Sequence, residues 1–183
     1  MSLLERMAVS TILDVMEYLP EWITVEAFWT TLLIVHGLLA VALLGALTHQ
    51  AVVLLLPLRA GARPSSFVAR YRAVSGAPYA NAVCLLWVLT FVLGAWIYAK
   101  YRIQVRIPIE QQGYYKTLGV FELKEHLVSF GIGLLPIYWY LWANAANQAY
   151  QSARKWLTVL LTAICWYAFL TGHVVNNVRG YGS

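Results

Sequence analysis

The sequence predicts an all-α integral membrane protein, a four-helix bundle preceded by an interfacial helix at the membrane surface. Of its 183 residues, 61% are hydrophobic and 11% are charged, whereas a soluble domain carries about 25% charged residues. Four apolar runs are long enough to cross a bilayer, at about residues 28–56, 79–98, 123–142 and 156–175. Because backbone groups in lipid must be paired within the protein, each run is predicted to be an α-helix, within one domain of residues 1–183.

The segment before the first span predicts a short amphipathic helix. Glu5 and Asp14 interrupt its apolar character, so a cleaved signal peptide is not expected. Such a helix lies on the membrane surface or packs on a partner protein, and the sequence favours neither. The apolar residues that recur at helical spacing are Leu3, Leu4, Met7, Ala8, Ile12, Val15, Met16 and Leu19.

An even number of spans places both chain termini on one side of the membrane, here called side A, together with the loop of residues 100–121. The loops of residues 57–78 and 143–155 lie on side B and contain basic residues but no acidic ones. Purely basic loops favour the anionic cytoplasmic leaflet, although Lys and Arg alone divide almost evenly between the two sides. The prediction is an inner (cytoplasmic) membrane protein with both termini on the outer face. Nucleic acid is not an expected partner, because no recognition motif accompanies the arginines.

The long side A loop contains "RIQVRIPIE", whose alternation of polar and apolar residues is a weak strand signal. Pro108 and Gly113 interrupt that pattern. A loop of this length is expected either to form an ordered cap over the bundle or to bind a partner.

Three histidines are predicted to lie at one depth, in the side A half of the membrane. His36, His126 and His173 belong to the first, third and fourth spans. Ionisable residues inside a membrane are costly and therefore indicate function, and convergent imidazoles suit a metal or haem. The alternative is that each ring is bonded to a backbone carbonyl or lies among headgroups.

His49 is predicted to have a different role. It follows His36 by 13 residues, which turns it about 220° around the helix, so the pair does not suit two stacked haems. His49 shares a face with Ala42, Gly45 and Ala46. Small residues at this spacing permit close helix packing, which predicts a buried histidine in a seam near side B.

The charged segment "ELKEH", residues 122–126, has two interpretations. As the start of the third helix, its glutamates complement the positive helix end and Lys124 extends to the headgroups. In the functional interpretation, His126 is an axial or metal ligand. Lys124 or Arg106 then binds a haem propionate or a quinone oxygen, and Arg179 is a further candidate for that anion.

Three features carry a family resemblance: "IVHGLLAVALLGAL" in the first span, the Arg-rich "FVARYRAV", and Lys124 at the head of a later span. In these features the chain resembles the four-helix membrane proteins of the CopD copper-resistance type and the HemJ protoporphyrinogen-oxidase type. The resemblance implies a shared scaffold. In HemJ-type proteins a first-span histidine and a later lysine are associated with haem or porphyrin, and the matching positions are His36 and Lys124.

The leading functional prediction is a b-type haem-binding membrane subunit that carries electrons between the quinone pool and an outer-face partner within a larger complex. His36 would ligate haem b together with His126 or His173. One alternative is copper handling at these three histidines, although the lack of Met-rich motifs counts against copper transport. Others are a HemJ-like porphyrin-oxidising protein and a structural subunit without cofactor, so enzymatic activity is left open. The expected partners are other membrane-complex subunits, quinone and lipid.

Overall fold

The computed structural model describes residues 24–57 and 66–178, and these residues are almost entirely helical. The α-helices are α1 (Val25–Leu55), α2 (Phe67–Ala73), α3 (Tyr79–Tyr101), α4 (Ile107–Gln111), α5 (Tyr115–Ala143) and α6 (Gln151–Val178). A π-helical segment, Arg102–Arg106, joins α3 to α4, and a 3₁₀ turn, Gln148–Tyr150, precedes α6. The helices long and apolar enough to cross a membrane are Val25–Leu55, Tyr79–Gln111, Tyr115–Ala143 and Gln148–Asn177. The prediction of an all-α membrane bundle is therefore confirmed, while the interfacial helix predicted before residue 24 lies outside the described residues.

The four long helices pack in a ring, in which α1 and α5 each contact both α3 and α6. Buried residues form two clusters along this ring. The side B cluster is built around Trp87 and Tyr138. The side A cluster consists of Tyr101, Val105, Ile109, Leu118, Phe121 and Val175. The buried residues are thus concentrated near the two ends of the bundle.

The predicted side A loop is a helical hairpin, and no strand forms among the described residues. Tyr101, Val105 and Ile109 are buried four residues apart, so this segment buries a helical face where the alternating pattern had indicated a strand. Pro108 is the second residue of α4 and directly follows the π-helical segment, where the regular α-helical hydrogen-bond pattern is already interrupted. Gly113 makes the turn into α5 with φ of 77°, a conformation that glycine adopts without strain.

The third membrane helix also begins earlier than predicted. Helix α5 starts at Tyr115, about two turns before Glu122. The favourable effect of acidic residues on a helix dipole is confined to the first turn. The interpretation of "ELKEH" as a charged helix start is therefore wrong, because the segment lies inside the helix.

The side B end of the bundle is held together by buried polar contacts. The fully buried Gln50 donates from Nε2 to the Gly76 carbonyl oxygen at 2.8 Å and accepts a hydrogen bond from the Tyr138 hydroxyl. Trp142 Nε1 donates to Thr158 Oγ1 at 3.1 Å. A Cβ at Gly76 would lie 2.7 Å from Trp142 Cη2, so only glycine permits this approach. These contacts connect α1, α5, α6 and the α2–α3 connection at one end.

His49 is buried, as predicted, but its surroundings differ from the predicted seam. Its Nε2 donates to the Tyr71 carbonyl oxygen at 3.1 Å, and its ring packs against the rings of Tyr71 and Tyr79. Ala42 and Gly45 are exposed on the outside of α1, and no atom lies within 4 Å of a Cβ built on Gly45. The prediction of close helix packing on the small-residue face is wrong, because α2 and the start of α3 cover His49 instead.

Candidate functional site

A cavity of about 570 Å³ lies between the two core clusters, in the side A half of the bundle. All four long helices contribute to its wall. The wall combines imidazoles, a lysine, glycines and aromatic rings: His36, His173, Lys124, Gly37, Gly94, Gly172, Phe91, Tyr98 and Phe169. It is therefore mainly apolar, with a few polar groups at defined positions, as in sites for organic ligands.

His36 projects from α1 into contact with α3. A Cβ at Gly94 would lie 3.0 Å from His36 Cε1, so the imidazole occupies the space that a larger residue would fill. The Nδ1 atom of His36 and the Oγ1 atom of Thr90 are buried without a hydrogen-bond partner, and both residues line the cavity. Buried polar atoms are normally paired. The two atoms therefore mark a part of the wall that is suited to a polar or coordinating group.

His173 reaches the same cavity from α6. Its ring is parallel to that of Phe169, with 6.5 Å between the centroids and 5° between the planes. Gly172 adds to the space beside it, since no atom lies within 4 Å of a Cβ built there. The structure thus brings His36 and His173 to one cavity from two different helices.

Lys124 supplies a positive charge to the cavity wall. Its Nζ lies 2.8 Å from Glu125 Oε1 and 4.1 Å from the centroid of the Phe121 ring. Lys124 and Glu125 both interact electrostatically with His36. An ammonium group has three donors, so Lys124 can keep its bond to Glu125 and still bind an anionic group in the cavity.

Of the two predicted arginines, the structure describes Arg106. Arg106 Nη2 forms an ion pair with Glu122 Oε1 at 3.1 Å, and both side chains are partly exposed. Arg106 does not belong to the cavity wall. Arg179 lies outside the described residues. Of the cationic candidates that the structure describes, Lys124 is the one that lines the cavity.

His126 does not join His36 and His173. It is exposed, and together with Tyr98, Glu122, Glu125 and Ser129 it lines a separate recess of about 370 Å³. Two residues turn a helix by about 200°, which explains why Lys124 faces the cavity and His126 faces away. Within residues 24–57 and 66–178, no group of three His, Cys, Asp or Glu side chains could hold a metal ion. The predicted three-histidine metal site is therefore not formed.

Several wall residues were not predicted from the sequence. Thr90 and Gly94 are one turn apart on α3, and a polar residue and a glycine at that spacing within an apolar span indicate a close approach by a neighbour. Gly131 is buried on α5 but does not line the cavity. A Cβ there would overlap the Trp87 indole. Gly131 therefore serves packing in the side B core.

The chain matches no protein-family model, no curated protein and no solved structure. The resemblance to CopD-type and HemJ-type proteins stays a prediction.

Proposed function

We propose that this membrane protein is a b-type haem-binding subunit that carries electrons between the quinone pool and a partner on the outer face. One observation carries the proposal: His36 of α1 and His173 of α6 line one cavity within the membrane-spanning region. Two imidazoles from different helices are the ligand set of a bis-histidine haem. Such a haem needs two protein ligands, so it does not depend on the three-residue metal group that the described helices lack.

The wall of the cavity also suits a flat macrocycle. Its volume of about 570 Å³ falls within the roughly 300–1,000 Å³ of typical cofactor pockets. Gly37, Gly94 and Gly172 reduce the bulk of three of the four helices at this level. The unpaired Nδ1 of His36 and Oγ1 of Thr90 add polar groups to a mainly apolar wall.

Each polar residue then has a distinct task. His36 and His173 would hold the iron. Gly94 leaves the space on α3 in which the His36 imidazole lies. Lys124 binds a propionate carboxylate through a charge-assisted hydrogen bond. When bound, haem supplies one-electron redox chemistry, and the apolar wall limits water and so influences the potential.

The proposed orientation places this cavity near the outer face. The described side B residues include Arg70, Arg72, Arg154 and Lys155 and no acidic side chain, which suits a cytoplasmic location. The cavity in the side A half is then close to an outer-face electron partner. Other subunits of an inner-membrane complex, quinone and lipid are the proposed partners.

A reduced minus oxidised visible spectrum of the purified protein tests the proposal. The protein should be prepared in mild detergent from haem-replete cells that also contain its partners. We expect a b-type α-band in the wild type, and its loss in both His36→Ala and His173→Ala. His126→Ala is the matched control, since it removes a histidine from the same half of the membrane without touching the cavity wall, and it should keep the band.

A featureless wild-type spectrum would refute the haem proposal and favour the structural-subunit alternative. Loss of haem in His126→Ala but not in His173→Ala would refute the assigned ligand pair.

A second candidate function is HemJ-like porphyrin oxidation. The observation that favours it is that His36 and Lys124, the two positions matched by the resemblance, line the same cavity and interact electrostatically. The porphyrinogen would then be a substrate, with quinone as the electron acceptor. Porphyrin fluorescence that appears on adding protoporphyrinogen and quinone, and is abolished by Lys124→Gln, would favour this function over electron transfer alone.

A further inference from the structure

The recess beside the cavity presents polar groups to the outside of the bundle. Glu122, Glu125, His126 and Ser129 lie on one face of α5, and Tyr98 of α3 completes the wall. The volume is about 370 Å³, which falls within the range of small-ligand sites. His126 and Ser129 are exposed, and they are one turn apart.

The hydrogen bonding of His126 determines what it offers a ligand. Its Nδ1 lies 2.8 Å from the Glu122 carbonyl oxygen. A carbonyl oxygen only accepts, so Nδ1 carries the hydrogen, and Nε2 of the neutral ring has a lone pair that can accept an O–H. Ser129 Oγ donates to the Glu125 carbonyl oxygen at 2.8 Å, which leaves its own lone pairs as acceptors. The recess therefore presents hydrogen-bond acceptors to a ligand that carries hydroxyl groups.

The recess and the cavity share a wall. Tyr98, Glu125 and Ser129 line both spaces. A ligand in the recess is therefore separated from a ligand in the cavity by one layer of side chains. The Tyr98 ring stacks on that of Tyr101, with 5.6 Å between the centroids and 25° between the planes. This gives the shared wall a flat aromatic component.

The recess opens towards the lipid-facing surface of the bundle. Leu123 and Phe130 flank it on α5 and are 49% and 57% exposed. In a membrane-spanning helix such apolar exposure contacts lipid tails. A ligand with an aromatic diol head and an apolar tail suits both parts of this surface.

We propose that the recess binds the headgroup of a membrane quinol. One quinol hydroxyl donates to His126 Nε2, the second reaches the Ser129 side of the recess, and the tail lies along Leu123 and Phe130. This site rests on the proposed function, because it gives the haem cavity an electron donor across the wall of Tyr98, Glu125 and Ser129.

Calorimetric titration of the purified protein with decylubiquinol tests this site. The protein should be placed in phospholipid nanodiscs and first reduced with dithionite, so that binding is measured without electron transfer. His126→Leu removes the acceptor, and we expect the Kd to rise about three- to tenfold, the worth of one hydrogen bond. His126→Gln restores an acceptor oxygen and should recover most of the affinity.

Tyr140→Phe is the matched control, because it removes one hydroxyl from the side B end of the same helix, and it should bind like the wild type. Haem content, measured on the same samples, should be unchanged in all three variants. An unchanged Kd in His126→Leu would overturn the recess site, whatever the haem content. A wild type that lacks haem but shows the expected Kd pattern would overturn the proposed function and leave the quinol site standing.

Discussion

The contact between Gly94 and His36 gives a direct test of the site. The change is Gly94→Ala, which adds a single methyl group to α3. That methyl would lie 3.0 Å from His36 Cε1, whereas two carbon atoms prefer about 3.5–4.0 Å. The imidazole must therefore move by a few tenths of an ångström.

We expect this movement to weaken haem binding. In the protein without haem, the His36 ring can turn into the cavity and relieve the contact. With iron bound, the ring is fixed and the strain remains. Overpacking of one methyl costs about 1–3 kcal/mol, so the haem Kd should rise about 5- to 150-fold.

The assay is a Soret titration of haem-free protein with haemin in detergent, with thermal unfolding measured on the same samples. Two matched variants, Gly119→Ala and Gly133→Ala, lie outside the cavity wall, place their methyl groups in open space and should change the Kd little. Alanine favours a helix over glycine by about 1 kcal/mol, so Gly94→Ala should not lose stability. Wild-type affinity in Gly94→Ala would refute the assignment of His36 as a ligand held against Gly94.

Two further predictions concern stability of the side B core, and thermal unfolding in detergent measures both. Gly131→Ala overlaps the Trp87 indole and should destabilise the protein by about 1–3 kcal/mol; an effect no larger than that of Gly133→Ala, whose methyl meets open space, would contradict the packing described. Gln50→Leu leaves the buried Tyr138 hydroxyl without its acceptor and should cost about 1–2 kcal/mol; unchanged stability would show that this contact is not structural.

Composition and run length were sufficient to predict the helical membrane fold, because lipid leaves the backbone few alternatives. Composition and run length did not predict the helical hairpin of residues 101–121, because its charged residues and Pro108 indicated a loop. The buried face of that hairpin depends on Tyr101, Val105 and Ile109 meeting Phe121. Such a partner is set by tertiary packing, which a local pattern of alternating residues does not reveal.

The site was partly predictable. Depth along the helices indicated that His36 and His173 share one layer, and the structure lines one cavity with both. The position of His126 could have been deduced from its 200° rotation relative to Lys124. The contact of Gly94 with His36 could not have been deduced in this way. It requires that α3 faces His36, and span lengths do not determine the order of the helices around a bundle.

The continuous helical stretch Tyr79–Gln111 allows the orientation of the protein in the membrane to be determined by experiment. Its 33 residues extend about 50 Å at 1.5 Å per residue, against about 30 Å of hydrocarbon. The length in excess of the hydrocarbon places the turn at Gly113 beyond the lipid on side A, and Gly113 does not line the cavity. A tag or antibody epitope inserted at this turn should therefore show which compartment side A faces, without altering the residues that line the cavity.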